Sequence, residues 1–301
     1  MTWFFYALIP PFLYSSSNIL DEYLCKKHEE LSGFKYIIAA SIVGILSGLA
    51  IFAYRPEALF LDPLYAVIFG IFGIFMQCCF IPYMIAIKED GAGFIAPLWQ
   101  ILPLFIFLIA WLTLGETVTF SQFLVCLVIV TTATIASIDH TGKFRLCSLL
   151  LMLLSCLLLA SHMVFMRFYS QNFHWLDIAA WGAIGAGIGA SVFMLIHTPT
   201  RKSIYQATRN SGTLSVFLLT LQAALDIGAN AFLVLAFSTA PSAGIVQTIN
   251  ALQPFIITFF AILAYWISPH IFAQPPKGKI LLWRLACFSI IATGIAFLGV
   301  A

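Results

Sequence analysis

The chain has 301 residues, 62% of them hydrophobic and only 9% charged, with a formal net charge of +2. A soluble domain carries roughly 25% charged residues and 45–50% apolar ones, so this composition excludes a water-facing surface and makes lipid the solvent for most of the chain. The small net charge, with no basic patch interleaved with aromatics, excludes a nucleic-acid partner.

Crossing hydrocarbon takes roughly 20 mostly apolar residues as a helix. Windows of that kind fall near residues 3–22, 34–54, 63–87, 92–114, 119–138, 144–168, 175–197, 213–237, 241–266 and 280–300. The expectation is an all-α membrane protein of ten transmembrane helices. Short breaks such as Lys88-Glu89-Asp90-Gly91 and Asp139-His140-Thr141-Gly142 make neighbouring helices antiparallel. The break at Thr239–Pro241 has no charge, and Pro241 is its only stop signal.

The first span has no basic leader and no small-residue cleavage site over Met1–Pro11, and reads as a retained helix. It closes in Tyr14-Ser15-Ser16-Ser17-Asn18, then Asp21-Glu22. Tyr14, Asn18 and Asp21 share a helix face; they line a site, with Asp21 as a second acid or gate, or they mark the membrane exit. Gly44 and Gly48 in the second span, and Gly182, Gly185, Gly187 and Gly189 in the seventh, read as seams for close helix approach. The glycine-rich seventh span is also suited to sliding.

Gln77 is a polar candidate in the third span. In the fourth, Trp99-Gln100 precedes Pro103, with Pro97 a turn earlier. An indole and an amide beside a kink suit a pocket wall, or the indole is plain packing. Glu116 and Arg167 lie near span ends, where long side chains snorkel to the interface, and read as anchors. His162 in the sixth span is a proton carrier or a hydrogen-bonded packing residue.

Asp226 is the most informative side chain, near the middle of the uncharged run Thr213–Phe237. An acid at a helix centre costs roughly 2.5–3.5 kcal/mol on insertion scales, which favours a place in the bundle interior with a task or a partner. Gln222, Asp226 and Asn230 follow at i, i+4 and i+8 and form one polar stripe. Asp226 is expected to bind and release a proton or to pair with a solute ammonium; a hydrogen-bonded packing role is the alternative. In the ninth span Gln247, Asn250 and Gln253 cover about 120° of the helix just before Pro254. Pro254 has no N–H and loosens the turn behind it, so these amides serve as interhelical bonds or as ligands for a solute.

Loops after odd-numbered spans hold nearly all the Lys and Arg; those after even-numbered spans hold only Arg55 and Arg167. With positives inside, both termini face outward from a multi-pass cell membrane protein, with a bacterial inner membrane as the expected location. Trp3, Trp175 and Trp283 suit the interfacial belt. The seven cysteines contain no C-x-x-C pair and read as small apolar packing residues. There is no metal-ligand spacing, phosphate-binding loop or nucleophile elbow. No cofactor and no ATPase subunit is expected, and transport would run on gradients.

Residues 92–110 and 243–261 share a pattern at one offset: Ala92-Gly93 with Ala243-Gly244, Pro103 with Pro254, Ala110 with Ala261. These are the fourth and ninth spans, five apart. Residues 1–140 and 141–301 therefore read as two five-helix halves, and because five is odd the second is inverted. Inverted repeats place a solute site at their interface near the midplane. Coincidence between apolar helices is the alternative.

With two such halves and A-G…P patterns in spans four and nine, the chain resembles the drug/metabolite transporter superfamily in its EamA-like branch. The stretch Ala92–Glu116, closing Leu114-Gly115-Glu116, is similar to that family's end-of-helix "P…LGE" pattern. Two departures stand out. The second copy has Trp266-Ile267 in place of a Gly-Glu pair, and the charge count puts the termini outside where many such proteins have the reverse.

The resemblance and the stripe together imply a secondary transporter working by alternating access. Its partners would be a small solute and the bilayer, and the chain would act as a monomer or homodimer. No Lys is central in a span and Arg167 lies toward an end, so phosphate esters are disfavoured. Zwitterionic, neutral or cationic metabolites, such as amino acids, polyamines or amine drugs, fit better. An intramembrane lipid-modifying enzyme and a non-transporting scaffold are the competing classes.

Overall fold

The computed structural model describes residues 2–27, 34–90, 96–137, 146–199, 201, 202, 205, 213–267 and 278–300. These residues hold no strand. Every apolar window of the sequence contains a helix. The helices are α1 (Thr2–Lys27), α2 (Phe34–Tyr54), α3 (Pro63–Asp90), α4 (Leu102–Leu114), α5 (Phe120–Ser137) and α6 (Leu146–Ser170). They continue with α7 (Trp175–Ile196), α8 (Thr213–Thr239), α9 (Ala243–Ile249), α10 (Gln253–Ile267) and α11 (Lys279–Val300).

The fourth and ninth windows are broken. A 3₁₀ segment, Ala96–Ile101, leads into α4, and a 3₁₀ turn, Asn250–Leu252, joins α9 to α10. Each break ends two residues before a proline, Pro103 and Pro254. The proline nitrogen has no proton for the helix ladder and its ring crowds the carbonyl four residues back, so the ladder loosens there. The two breaks end at positions related by the same offset as the sequence repeat. The first members of the repeat's Ala-Gly match, Ala92 and Gly93, lie outside the described residues.

By length and apolar composition, five helical stretches among the described residues can cross a membrane: Pro63–Tyr83, Leu146–Ser170, Trp175–Ile196, Val216–Thr239 and Ala243–Ile267. Shorter apolar stretches are Ser41–Tyr54, Leu98–Leu114, Phe120–Ile135 and Leu285–Leu298. α1 is in neither group, since Ser15-Ser16-Ser17-Asn18 sits within its length. Large apolar side chains point away from the bundle, among them Leu46, Leu112, Phe120, Phe217 and Phe259. In water such a surface would aggregate; in hydrocarbon it is solvated.

Inside, α1 lies along α8 and touches α10, α2 lies along α7, and α3 packs on α6 and α7. α4 packs on α6 and α9, and α5 on α11. The glycine seam expected in the seventh window is a close backbone contact. A Cβ on Gly73 would enter the Gly182 carbonyl, and one on Gly185 would enter the backbone of Gly70. Gly187 meets Ile45 and Ser41, and Gly48 meets Ile184 and the Ala180 carbonyl. α7 thus wedges between α2 and α3, and α1 lies against both α8 and the broken ninth helix.

Candidate functional site

The stripe on α8 is held against α1, and the contacts give the register. Tyr14 Oη donates to Asn230 Oδ1 at 2.9 Å, while Gln222 Nε2 donates to Ser17 Oγ at 3.0 Å. Moving up α1 means moving down α8, so the helices are antiparallel. Gln222 Nε2 also donates to Asp226 Oδ2, Ser17 hydrogen-bonds to the same carboxylate, and Asn230 Nδ2 donates to the Asp226 carbonyl at 2.8 Å. The i, i+4, i+8 spacing is therefore one connected network, and α1 supplies its other wall.

Asp226 sits among neutral partners. The ion pairs of the described residues belong to Arg55 and Arg167. Gln222 is fully buried, and its Oε1 has no hydrogen-bond partner among the described residues. Both amide protons of Gln222 are directed to oxygens, so what the network leaves open is acceptor capacity: that Oε1 and the carboxylate. A buried acceptor left open costs about 1–3 kcal/mol, and a donor-bearing solute, a water or a proton would relieve it.

α1 also reaches the broken ninth window. Ser15 Oγ donates to the Pro11 carbonyl at 2.6 Å and lies 3.3 Å from the Gln253 carbonyl, at the residue before Pro254. Asn250 Nδ2 donates to Gln247 Oε1 at 2.9 Å, and Asn250 Oδ1 is buried without a partner. These two amides bond to each other within one broken helix. Gln253 is half-buried.

The fourth window is aromatic. The Trp99 ring packs on Phe80 and Tyr83 of α3, with centroids 5.7 and 5.1 Å away. Gln100 and Gln77 are half-buried. His162 lies buried against Phe72 and Phe75, and its Nδ1 has no partner among the described residues. Asn18 is half-buried on α1; the side chains of Asp21 and Pro97 lie outside those described.

Glu116 and Arg167 are not anchors that snorkel to the interface. Arg167 Nε donates to Glu116 Oε1 at 2.7 Å, and their side chains are 7% and 10% exposed. Arg167 Nη2 donates to the Ala240 carbonyl at 2.8 Å, and Glu116 Oε2 accepts from the Ala243 N–H at 2.9 Å. Each residue lies close to the end of a helix, but packing covers that end, so the pair satisfies itself indoors. Nearby, Arg55 Nε donates to Asp177 Oδ1 at 2.7 Å. That hydrogen bond, chiefly, holds the Arg55 guanidinium above its ordinary pKa.

Reasoning from the sequence missed Ser15 and Ser17. Their signal was present, as a polar run inside an apolar window on the face next to Tyr14 and Asn18.

Fold and site define a helical membrane protein with a half-buried acid, in no ion pair among the described residues, on an interior polar stripe. Residues 1–138 match the family model of the EamA-like transporter family. The resemblance carried by Ala92–Glu116 is borne out over that stretch. A solved crystal structure, described only as that of a protein, matches with a TM-score of 0.73 over 98% of this chain and 95% of that chain, at 14% identity. Identity that low speaks to the fold alone. No curated protein matches the sequence.

Proposed function

We propose that the chain is a secondary active transporter of a small zwitterionic, neutral or cationic metabolite, working by alternating access. Solute is recognised at the network of Tyr14, Ser17, Gln222, Asp226 and Asn230. The observation that carries this reading is Asp226: a carboxyl inside the bundle whose partners among the described residues are neutral, beside a Gln222 acceptor with no partner among them. An acid so placed suits a proton or an ammonium, and coupling to protons runs through it. Gln247 and Asn250 at the ninth break, and Trp99 and Gln100 at the fourth, extend the site toward the second pair of walls. No step of this reading needs an enzyme's nucleophile or metal.

Two inverted five-helix halves, spanning the membrane ten times, are the architecture of this reading. Its support is the pattern of packing. Exchanging the halves turns the α1–α8 contact into α6–α3, α1–α10 into α6–α4, and α2–α8 into α7–α3, and each of these pairs is in contact. The helices that such an exchange pairs with their own counterparts, α2 with α7 and α5 with α11, also touch. In this reading both termini face outside the cell, which the charge bias of the loops supports.

The test is a panel of amines, amino acids and neutral metabolites screened for thermal stabilisation of the purified chain, repeated with Asp226→Asn. Ligand binding stabilises by mass action, about 2.7 kcal/mol at a hundredfold excess over Kd. A hit lost in Asp226→Asn supports the reading. A hit retained with wild-type flux in the variant removes Asp226 from it. Proton flux into proteoliposomes on adding the hit separates a transporter from a scaffold, which gives none, and from a lipid-modifying enzyme, which gives product without vectorial movement.

A further inference from the structure

The Glu116–Arg167 pair joins three parts of the chain that are remote in sequence. Glu116 follows α4, Arg167 lies in the last turn of α6, and Ala240 and Ala243 flank the link between α8 and α9. Both ionic side chains are used at two points. Arg167 holds Glu116 with Nε and the Ala240 carbonyl with Nη2, while Glu116 holds Arg167 with one oxygen and the Ala243 N–H with the other. One contact crosses between the two sequence halves on the ion pair itself, and a second crosses from Glu116 to Ala243.

The same end of the bundle carries a second crossing. Only four residues separate α6 from α7, and Asp177 in the first turn of α7 takes Arg55 from the end of α2. Trp181 Nε1 donates to the Ala58 carbonyl at 2.9 Å beside it. This is the end at which α1 begins, because the antiparallel register of α1 on α8 sets Thr2 beside Thr239.

A buried ion pair contributes little net stability compared with apolar residues of the same volume, since desolvation offsets its attraction. What it does supply is a contact that is either made or broken. Its mechanical connection is direct: Ala243 opens α9, and α9 carries Gln247 and leads into Asn250 and the break before Pro254. Releasing Glu116 therefore frees the start of the half-helix that bears Gln247 and leads into Asn250.

We propose that Glu116 and Arg167 form a two-point gate that closes the terminus-bearing end of the bundle, and that the structure is the state closed at that end. Arg55 and Asp177 are a weaker, more exposed companion, with Arg55 29% exposed. Opening breaks the ion pair and both backbone bonds together, and α9 swings with the loop after α8. The gate goes beyond the transporter reading and is tested without any solute.

Ser170, buried one turn beyond Arg167 and donating to its carbonyl, is the reporter position. Full-length Ser170→Cys in nanodiscs is treated with a charged thiol reagent, and modification is followed by the mass of the peptide bearing residue 170, so the native cysteines stay in place. Adding Glu116→Gln is expected to raise the modification rate about tenfold, the effect of about 1.4 kcal/mol on a two-state opening. Arg167→Met should do the same. The double variant should be no faster than either single, because one gate cannot be opened twice.

Rates within twofold of each other in gated and neutralised chains, at unchanged Tm, would overturn the gate. So would additive effects in the double variant. If the neutral variants do not fold, Arg167→Lys keeps the charge but has one nitrogen in place of the planar fork whose Nε and Nη2 reach Glu116 and Ala240 separately. An intermediate rate supports the two-point arrangement, and full protection by Lys rules it out. Solute flux measured on the same chains stands apart: a gate that fails with transport intact, or transport that fails with the gate intact, are separate results.

Discussion

The hydroxyl of Tyr14 donates to Asn230 Oδ1 at 2.9 Å, across helices whose residues are 216 apart in sequence. Asn230 in turn donates to the backbone carbonyl of Asp226. The bond ties the middle of α1 to the helix that carries the interior acid, and it makes the first span part of the site rather than a membrane anchor.

Tyr14→Phe removes the donor and leaves Asn230 Oδ1 open in a partly buried place. A buried acceptor without its partner costs about 1–3 kcal/mol. The expected outcome is a Tm lowered by a few degrees in detergent, with solute affinity weakened as well. Tyr14→Phe/Asn230→Leu, which removes both partners, should recover part of the Tm and none of the affinity.

Asp226→Asn keeps the size of the side chain and an oxygen able to accept from Gln222. Insertion and Tm should be preserved, while proton movement driven by solute in proteoliposomes falls to background. Unchanged proton flux would remove Asp226 from coupling.

Gly115, at the end of α4, and the glycines of the α3–α7 seam are of two kinds. Gly115 has φ +66° with nothing within 4 Å of a Cβ, so Gly115→Ala meets only the left-handed backbone penalty of roughly 1–2 kcal/mol. Gly73→Ala and Gly185→Ala drive a methyl into the facing backbone. They should lower Tm well beyond Gly115→Ala, since overpacking typically costs about 1–3 kcal/mol even where side chains can yield and backbone yields less. Tm measured side by side on the three variants checks the order.

Pro254→Ala returns an N–H to the ladder behind which Asn250–Leu252 is 3₁₀. A proline inside a continuous helix costs about 3 kcal/mol relative to alanine, but Pro254 stands in the first turn of α10, where its missing N–H is tolerated, so the variant should melt higher by only a small part of that. If the break is used in the transport cycle, turnover should fall as stability rises; a faster transporter would show that the break is only tolerated.

Much of this was legible because the signals are local. The apolar windows mark each helix, and the i, i+4, i+8 spacing of Gln222, Asp226 and Asn230 puts them on one face whatever they touch. Pro103 and Pro254 mark both broken helices, since a missing N–H acts on its own turn. The Leu114-Gly115-Glu116 ending pointed to the family that residues 1–138 match.

The pairing of ions was not legible. Glu116 and Arg167 each sit near a helix end, where periodicity and hydropathy describe an interfacial anchor equally well, and the distance between them in sequence says nothing of their distance in space. Ser17 was hidden for a similar reason. A serine in an apolar helix usually bonds to its own backbone, as Ser16 does to the Phe12 carbonyl; only the lie of α8 turns Ser17 toward Gln222 and Asp226.

The sequence by itself determined that this protein lives in lipid, that it is helical, where its helices break and which acid lies within the bundle. These follow from composition and from spacing along one helix. The tertiary structure alone decided who faces that acid and that the charges at the terminus-bearing end meet each other indoors. Partners brought together from distant segments depend on packing register, which no single stretch of chain encodes.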